Sequence, residues 1–101
     1  METGIKEIFE QVEKYLYPLI SRETSVTLSK DESRVLALQN INRLNQRIGQ
    51  IARSSKVDTA DMKILQTLVN RLTIGVKTDN VSQIRGSLAL VRGYIESLEK
   101  N

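Results

Sequence analysis

Two pairs of arginines are the side chains whose type and spacing could support chemistry in this chain. Arg43 and Arg47 are four residues apart and share a helical face. Arg85 and Arg92 are seven apart, which is about two turns of a helix. A guanidinium offers a planar fork of donors that suits phosphate or carboxylate, so both pairs are candidate ligands of a small anion such as a nucleotide. The alternative is a solvated basic face, and the sequence favours it because no other residues converge on the arginines.

A glycine follows each arginine of the second pair, giving Arg85-Gly86 and Arg92-Gly93. In the interior of a helix, glycine is less favourable than alanine by about 1 kcal/mol. Two such residues in one predicted helix therefore need a reason. Either a ligand comes close to the backbone beside the arginines, or another helix packs closely there.

Three tyrosines, Tyr15, Tyr17 and Tyr94, are the candidate contact residues for a protein partner. Tyr15 and Tyr17 point in different directions from a helix, so at least one of them must be partly exposed. Tyrosine combines a large contact area with few rotatable bonds and is enriched in interface hot spots. The alternative is that a tyrosine covers the end of the core and keeps its hydroxyl in water.

Missing residue types exclude several kinds of chemistry in this chain of 101 residues, which contains no His, no Cys and no Trp. Without them there can be no disulfide, no thiolate nucleophile, no Cys/His zinc site and no Ser-His-Asp triad. The chain also has no glycine-rich phosphate loop of the Walker or dinucleotide type. We therefore predict a protein without enzymatic activity, without a metal site and without a cofactor.

The sequence also lacks the usual signals for binding nucleic acid or a membrane. One Phe and three Tyr are too few to form a stacking platform for single strands. A helix that could enter a DNA groove begins Thr59-Ala60-Asp61, and an acidic residue at that end opposes specific binding to duplex DNA. No apolar stretch approaches the ~20 residues that span a bilayer, and no signal-peptide pattern is present. We expect a cytoplasmic protein with no membrane partner.

Amphipathic helices must position these residues, because apolar side chains recur at helical spacing along almost the whole chain. Pro18 predicts that the first helix ends or kinks near residues 16–18, since proline lacks a backbone donor and disfavours helical geometry in the preceding residue. Ser29 and Glu32 have the spacing of a capping box, which predicts the start of the second helix. Four helices are predicted, at approximately residues 3–18, 30–54, 59–75 and 79–99.

The later helix boundaries rest on capping residues. Asp58 is the predicted N-cap of the third helix, and Gly75 is its predicted left-handed stop. Thr78 or Asp79 is the predicted cap of the fourth helix.

Helix four has the most regular apolar pattern in the chain. Its apolar residues follow intervals of three and four over two heptads, which predicts a buried seam centred on Leu88 and Val91. The connections between helices two and three and between three and four are short, so these pairs must be antiparallel neighbours. The sequence thus predicts an all-α fold, an antiparallel bundle of about four amphipathic helices in a single domain, 1–101.

The net charge of +3 conceals an uneven distribution. Residues 1–32 carry four basic and seven acidic side chains, whereas residues 33–95 carry ten basic and three acidic ones. The acidic first helix could pair with the basic body of a second copy, which favours a homo-oligomer. We expect a small, non-enzymatic helical binding module, an adaptor or inhibitor that acts through protein–protein contacts. The alternative is a protein that binds or sequesters a nucleotide or another phosphorylated ligand at an arginine-lined site.

Overall fold

The computed structural model describes residues 4–21, 29–54 and 59–99 of the chain. They form four α-helices and no strand: α1 (Ile5–Ile20), α2 (Lys30–Arg53), α3 (Thr59–Lys77) and α4 (Val81–Glu99). The prediction of an all-α bundle is confirmed. The predicted helix boundaries lie within two residues of the observed ones.

The helices stand in a ring in which each packs against its neighbours in sequence and α1 closes the ring against α4. Within the described ranges, no Cα atom of α1 lies within 8 Å of one in α3, and none of α2 lies within 8 Å of one in α4, so these pairs are diagonally opposite each other across the core. Lys6, near the start of α1, pairs with Glu99 at the end of α4. Arg85, near the start of α4, reaches the carbonyl of Ile20 at the end of α1. These contacts show that α1 and α4 are antiparallel, as in an up-down bundle, and the whole measures 44 × 22 × 21 Å.

The core lies along the axis of the ring and takes one apolar face from each helix. Burying those faces supplies most of the stability of helices of this length, which are marginal in isolation. The largest fully buried side chains include Leu16, Ile41, Leu44, Ile48, Met62, Leu65, Leu72 and Ile84.

The seam predicted on α4 is only partly buried. Ile84 and Val91 are fully buried, whereas Leu88 is half-buried and Val81 is 38% exposed. Ser87, which is absent from the apolar pattern, is buried instead. α4 packs against α3 on one side and α1 on the other, so the buried strip runs through Ile84, Ser87 and Val91. Leu88 therefore lies at the edge of this strip and not at its centre.

The predicted start of α2 is confirmed, and the end of α1 differs from the prediction. The hydroxyl of Ser29 accepts a hydrogen bond from the backbone N–H of Glu32 at 3.1 Å. Pro18 lies inside the last turn of α1, which continues to Ile20. A proline there removes one backbone donor but does not prevent the helix from completing its turn. The predicted N-cap of α3, Asp58, lies outside the described residues.

Gly75 does not end α3, which continues for two further residues. A Cβ at this position would lie 3.2 Å from Gln83 Cγ and 3.2 Å from both Cγ1 and the backbone nitrogen of Ile84. The absence of a side chain thus lets the start of α4 approach α3 closely.

The turn between α3 and α4 is made by different residues from those predicted. Asp79 has the left-handed conformation that was predicted for Gly75, with φ 54°. The N-cap of α4 is Asn80, whose side-chain oxygen accepts from the N–H of Gln83 at 3.1 Å. Asn80 also donates its own N–H to the carbonyl of Gly75 at 2.9 Å, which closes the end of α3. The cap is therefore neither Thr78 nor Asp79.

Candidate functional site

A groove of about 780 Å³ lies between α1 and α4. These two helices pack less extensively than the other neighbouring pairs. Ile20 and Leu88 supply half-buried apolar surface in the groove, and the small residues Ala89 and Gly93 leave the space between the helices open. Tyr17, which is 55% exposed, adds an aromatic ring on the α1 side. The site is thus an open channel with an apolar floor.

Charged side chains of both signs surround this floor. α1 supplies two carboxylates and one ammonium group, and α4 supplies two guanidinium groups and one carboxylate. These residues are Glu10, Glu13, Lys14, Arg85, Arg92 and Glu96. Because their formal charges cancel, the groove has no strong preference for a ligand of either sign.

Arg85 and Arg92, two of the predicted anion ligands, line the groove together, and both bind groups of α1. Arg92 forms an ion pair with Glu13, whose side chain is only 19% exposed. Arg85 donates a hydrogen bond to the carbonyl of Ile20 at 2.5 Å. Ile20 is the last residue of α1, so Arg85 satisfies a carbonyl that the helix itself leaves without a partner. An anion in the groove would have to compete with Glu13 for Arg92.

These contacts belong to a regular series along α1 and α4. Lys6 and Glu99 form a further ion pair at 3.8 Å. The other two members of the series are the Glu13–Arg92 ion pair and the hydrogen bond from Arg85 to Ile20. The contacting residues are therefore seven apart on each helix, at positions 6, 13 and 20 of α1 and at positions 99, 92 and 85 of α4. Seven residues are about two turns, so all three contacts lie on the same side of each helix. They match the antiparallel orientation of α1 and α4 and lie along the whole length of their contact.

The other predicted anion ligands, Arg43 and Arg47, lie on α2, which is diagonally opposite α4 in the ring. Arg43 donates to the side-chain oxygen of Asn40 at 3.3 Å, and Arg47 donates to that of Gln50 at 3.2 Å. The structure therefore brings Arg85 and Arg92 to one groove but leaves the α2 arginines on a separate surface.

The three tyrosines occupy different environments. Tyr17 is exposed at the groove, whereas Tyr15 and Tyr94 are half-buried against the core. The hydroxyl of Tyr94 donates to a carboxylate oxygen of Asp61 at 2.6 Å, which joins the end of α4 to the start of α3. The ring of Tyr15 lies 5.6 Å from the ammonium nitrogen of Lys14. Of the predicted contact residues, Tyr17 is thus the one that lines the groove.

Beside the groove, α4 presents an outer face made of small and apolar residues, which we call the α4 outer face. It comprises the exposed residues Gly86, Ala89, Leu90 and Gly93, and Leu90 is 53% exposed. A Cβ added to Gly86 or to Gly93 would meet no heavy atom within 4 Å. Close packing within the described chain therefore explains Gly75 but neither of these two glycines.

Sequence reasoning did not identify the acidic residues of the groove. Glu10 and Glu13 belong to a set of glutamates that α1 spreads over its polar surface, and Glu96 lies near the end of α4, three residues before Glu99. One available signal was the charge order of the terminal helices. Lys6 and Glu13 are seven apart, as are Arg92 and Glu99, and antiparallel packing brings opposite charges together.

Comparisons with known proteins do not assign a class to this site. No family model, no curated protein and no solved structure matches the chain. Among the described residues, no group of three or more Asp, Glu, His or Cys side chains could hold a metal ion. No helix in the described ranges is long and apolar enough to cross a membrane. The function must therefore be inferred from the groove and the α4 outer face.

Proposed function

We propose that this protein is a non-enzymatic, cytoplasmic binding module, an adaptor or inhibitor, that acts through protein–protein contacts at the α1–α4 groove. The observation that carries the proposal is the open apolar floor, with Leu88 and Ala89 between two charged edges. An elongated groove of this composition suits the apolar face of a partner helix, and the charged edges set its orientation and register.

A second candidate function is the binding of a phosphorylated ligand. It is favoured by one observation, that Arg85 and Arg92 line the same groove. Three carboxylates line the groove as well, and Arg92 is already paired with Glu13. A phosphate would have to displace that carboxylate and lie near two others, so the charges support a protein partner more strongly than a free anion.

A photo-crosslinking residue placed in the groove tests the leading proposal. Ala89 is exposed and small, so its replacement leaves the core intact. Gln46 on α2 is also exposed and lies on the helix diagonally opposite α4, which makes it a matched control. After irradiation in the native cells, we expect a discrete crosslinked protein from position 89 and none from position 46. Equal products from both positions, or no product from position 89, would contradict a docking groove.

Thermal shift with ATP and with inorganic phosphate tests the second candidate. A ligand at about 100 times its Kd stabilises the folded state by about 2.7 kcal/mol. If Arg85 and Arg92 bind the anion, Tm rises for the wild type and does not rise for the double variant Arg85→Gln/Arg92→Gln. We expect no such difference, and its observation would favour anion binding over a protein partner.

A further inference from the structure

We propose that the α4 outer face binds α4 of a second copy of this chain, and that the two helices pack antiparallel across a two-fold axis near Leu90. This inference rests on the proposed function, since it names a second copy of the chain as a protein that binds beside the α1–α4 groove, on a face that shares Ala89 and Gly93 with the groove. Three features of α4 support it: the backbone that its glycines expose, the order of its charges, and the exposed leucine.

The glycines allow another helix to come close. Gly86 and Gly93 are seven residues apart and lie on the same side of α4, with Ala89 between them. Each glycine makes the helix less stable than alanine would, and apart from the adjoining residues and backbone of α4 itself, no described atom lies within 4 Å of the position its Cβ would occupy. Small residues at this spacing let a second backbone approach the helix closely, which the larger side chains of an ordinary solvated face would prevent.

The order of charges identifies that second backbone as another α4. Arg85 and Glu96 are eleven residues apart, close to three full turns, and both line the groove, so they lie on one edge of the outer face. In an antiparallel pair centred near Leu90, Arg85 of each copy lies opposite Glu96 of the other. The carboxylate of Glu96 has no ion-pair partner among the described residues. A symmetric dimer would therefore form two equivalent ion pairs.

Two further points support the antiparallel dimer: the position of Leu90, and the comparison with a parallel pair. Leu90 lies toward the other edge of the outer face, and the two-fold axis brings it against Leu90 of the second copy, which removes two half-exposed leucines from water. In a parallel pair the two-fold axis runs along the helices, so Arg85 and Glu96 of one copy lie on the opposite edge of the contact from Arg85 and Glu96 of the other. A parallel pair therefore forms neither ion pair, and the charge order favours the antiparallel dimer.

Analytical ultracentrifugation of the purified full chain, over a range of micromolar concentrations, tests the proposal. We expect a reversible monomer–dimer equilibrium for the wild type. Glu96→Arg and Arg85→Glu each place like charges opposite one another, so each should weaken the dimer by about tenfold or more in Kd. The double variant Arg85→Glu/Glu96→Arg restores opposite charges and should restore the dimer. Gln46→Arg, an exposed change on α2, is the matched control and should leave the Kd unchanged.

A steric variant separates the interface from effects on the fold. Gly86→Leu places a bulky side chain where α4 of the second copy would lie, and nothing in the described chain obstructs it. We expect a monomer with the circular dichroism and Tm of a folded bundle. A wild type that stays monomeric throughout overturns this proposal, while crosslinking from position 89 to another protein would still support the docking groove. A dimer that neither of the single charge reversals nor Gly86→Leu weakens would also overturn it.

Discussion

Replacing the helix glycines one at a time by alanine should separate the glycine that packs from those that do not. At Gly86 and Gly93 an added Cβ meets no heavy atom within 4 Å. Nothing then offsets the higher helix propensity of alanine compared with glycine. Gly86→Ala and Gly93→Ala should therefore each raise the free energy of unfolding by about 0.5–1 kcal/mol. These two variants provide the reference for the packed position.

At Gly75 the same substitution should destabilise the protein. The new Cβ would lie 3.2 Å from the backbone nitrogen of Ile84, an atom that cannot move away unless α4 shifts. The side chain of Gln83, also at 3.2 Å, can rotate and does not decide the sign. Overpacking of this kind costs about 1–3 kcal/mol, and the gain in helix propensity returns about 1 kcal/mol. We therefore expect Gly75→Ala to lower the free energy of unfolding by about 1 kcal/mol.

Urea unfolding followed by circular dichroism measures all three variants, at protein concentrations low enough to keep the chain monomeric. For a small protein the free energy of unfolding falls by about 1–3 kcal/mol per molar urea, so 1 kcal/mol moves the midpoint by about 0.3–1 M and gains are easily told apart from losses. Gly49→Ala is an additional control, since its Cβ would make an ordinary contact at 3.5 Å with the side chain of Arg53. If Gly75→Ala were as stabilising as Gly86→Ala, the close approach of α4 to α3 would be refuted.

Three further predictions concern helix ends, an interhelical hydrogen bond and the core. Ser29→Ala removes the N-cap of α2 and should cost about 1 kcal/mol in urea unfolding, and an unchanged midpoint would contradict the cap. Tyr94→Phe removes the hydrogen bond to the carboxylate of Asp61 and should cost about 1.5 kcal/mol, an effect that Asp61→Asn should reduce in a double-mutant cycle. Ile84→Ala, at a fully buried position, should cost about 2–5 kcal/mol and more than Leu88→Ala, and the reverse order in thermal unfolding would disprove the observed position of the buried strip.

Local sequence determines most of the secondary structure of this protein. Helical periodicity and end signals act over a few residues, so they can be read without knowledge of the fold. Ser29 is an example, because its side-chain oxygen accepts a hydrogen bond from the backbone N–H of Glu32, three residues later. This capping contact forms in any helix that begins with such a residue, whatever the helix packs against. Four helices at nearly the observed bounds, and the all-α class, follow from such patterns.

Gly75 shows where local reasoning fails. As a residue near the end of a predicted helix, it fits a left-handed stop, and the sequence offers no reason to prefer another role. The reason lies 3.2 Å away on α4, whose first turn would collide with a side chain at this position. Asp79 adopts the left-handed conformation instead. It lies in the turn between α3 and α4, and the packing of these two helices sets the distance that the turn must span.

The candidate site depends even more on tertiary structure. The sequence determined that Arg85 and Arg92 share one side of a helix, since a spacing of seven residues allows nothing else. Only the packing of α1 against α4 decided that Arg92 meets Glu13 and that Arg85 meets the carbonyl of Ile20. Those residues are more than sixty positions apart in the chain, and helical periodicity carries no information about the register between two helices. That register follows from how the apolar faces of all four helices fill one core.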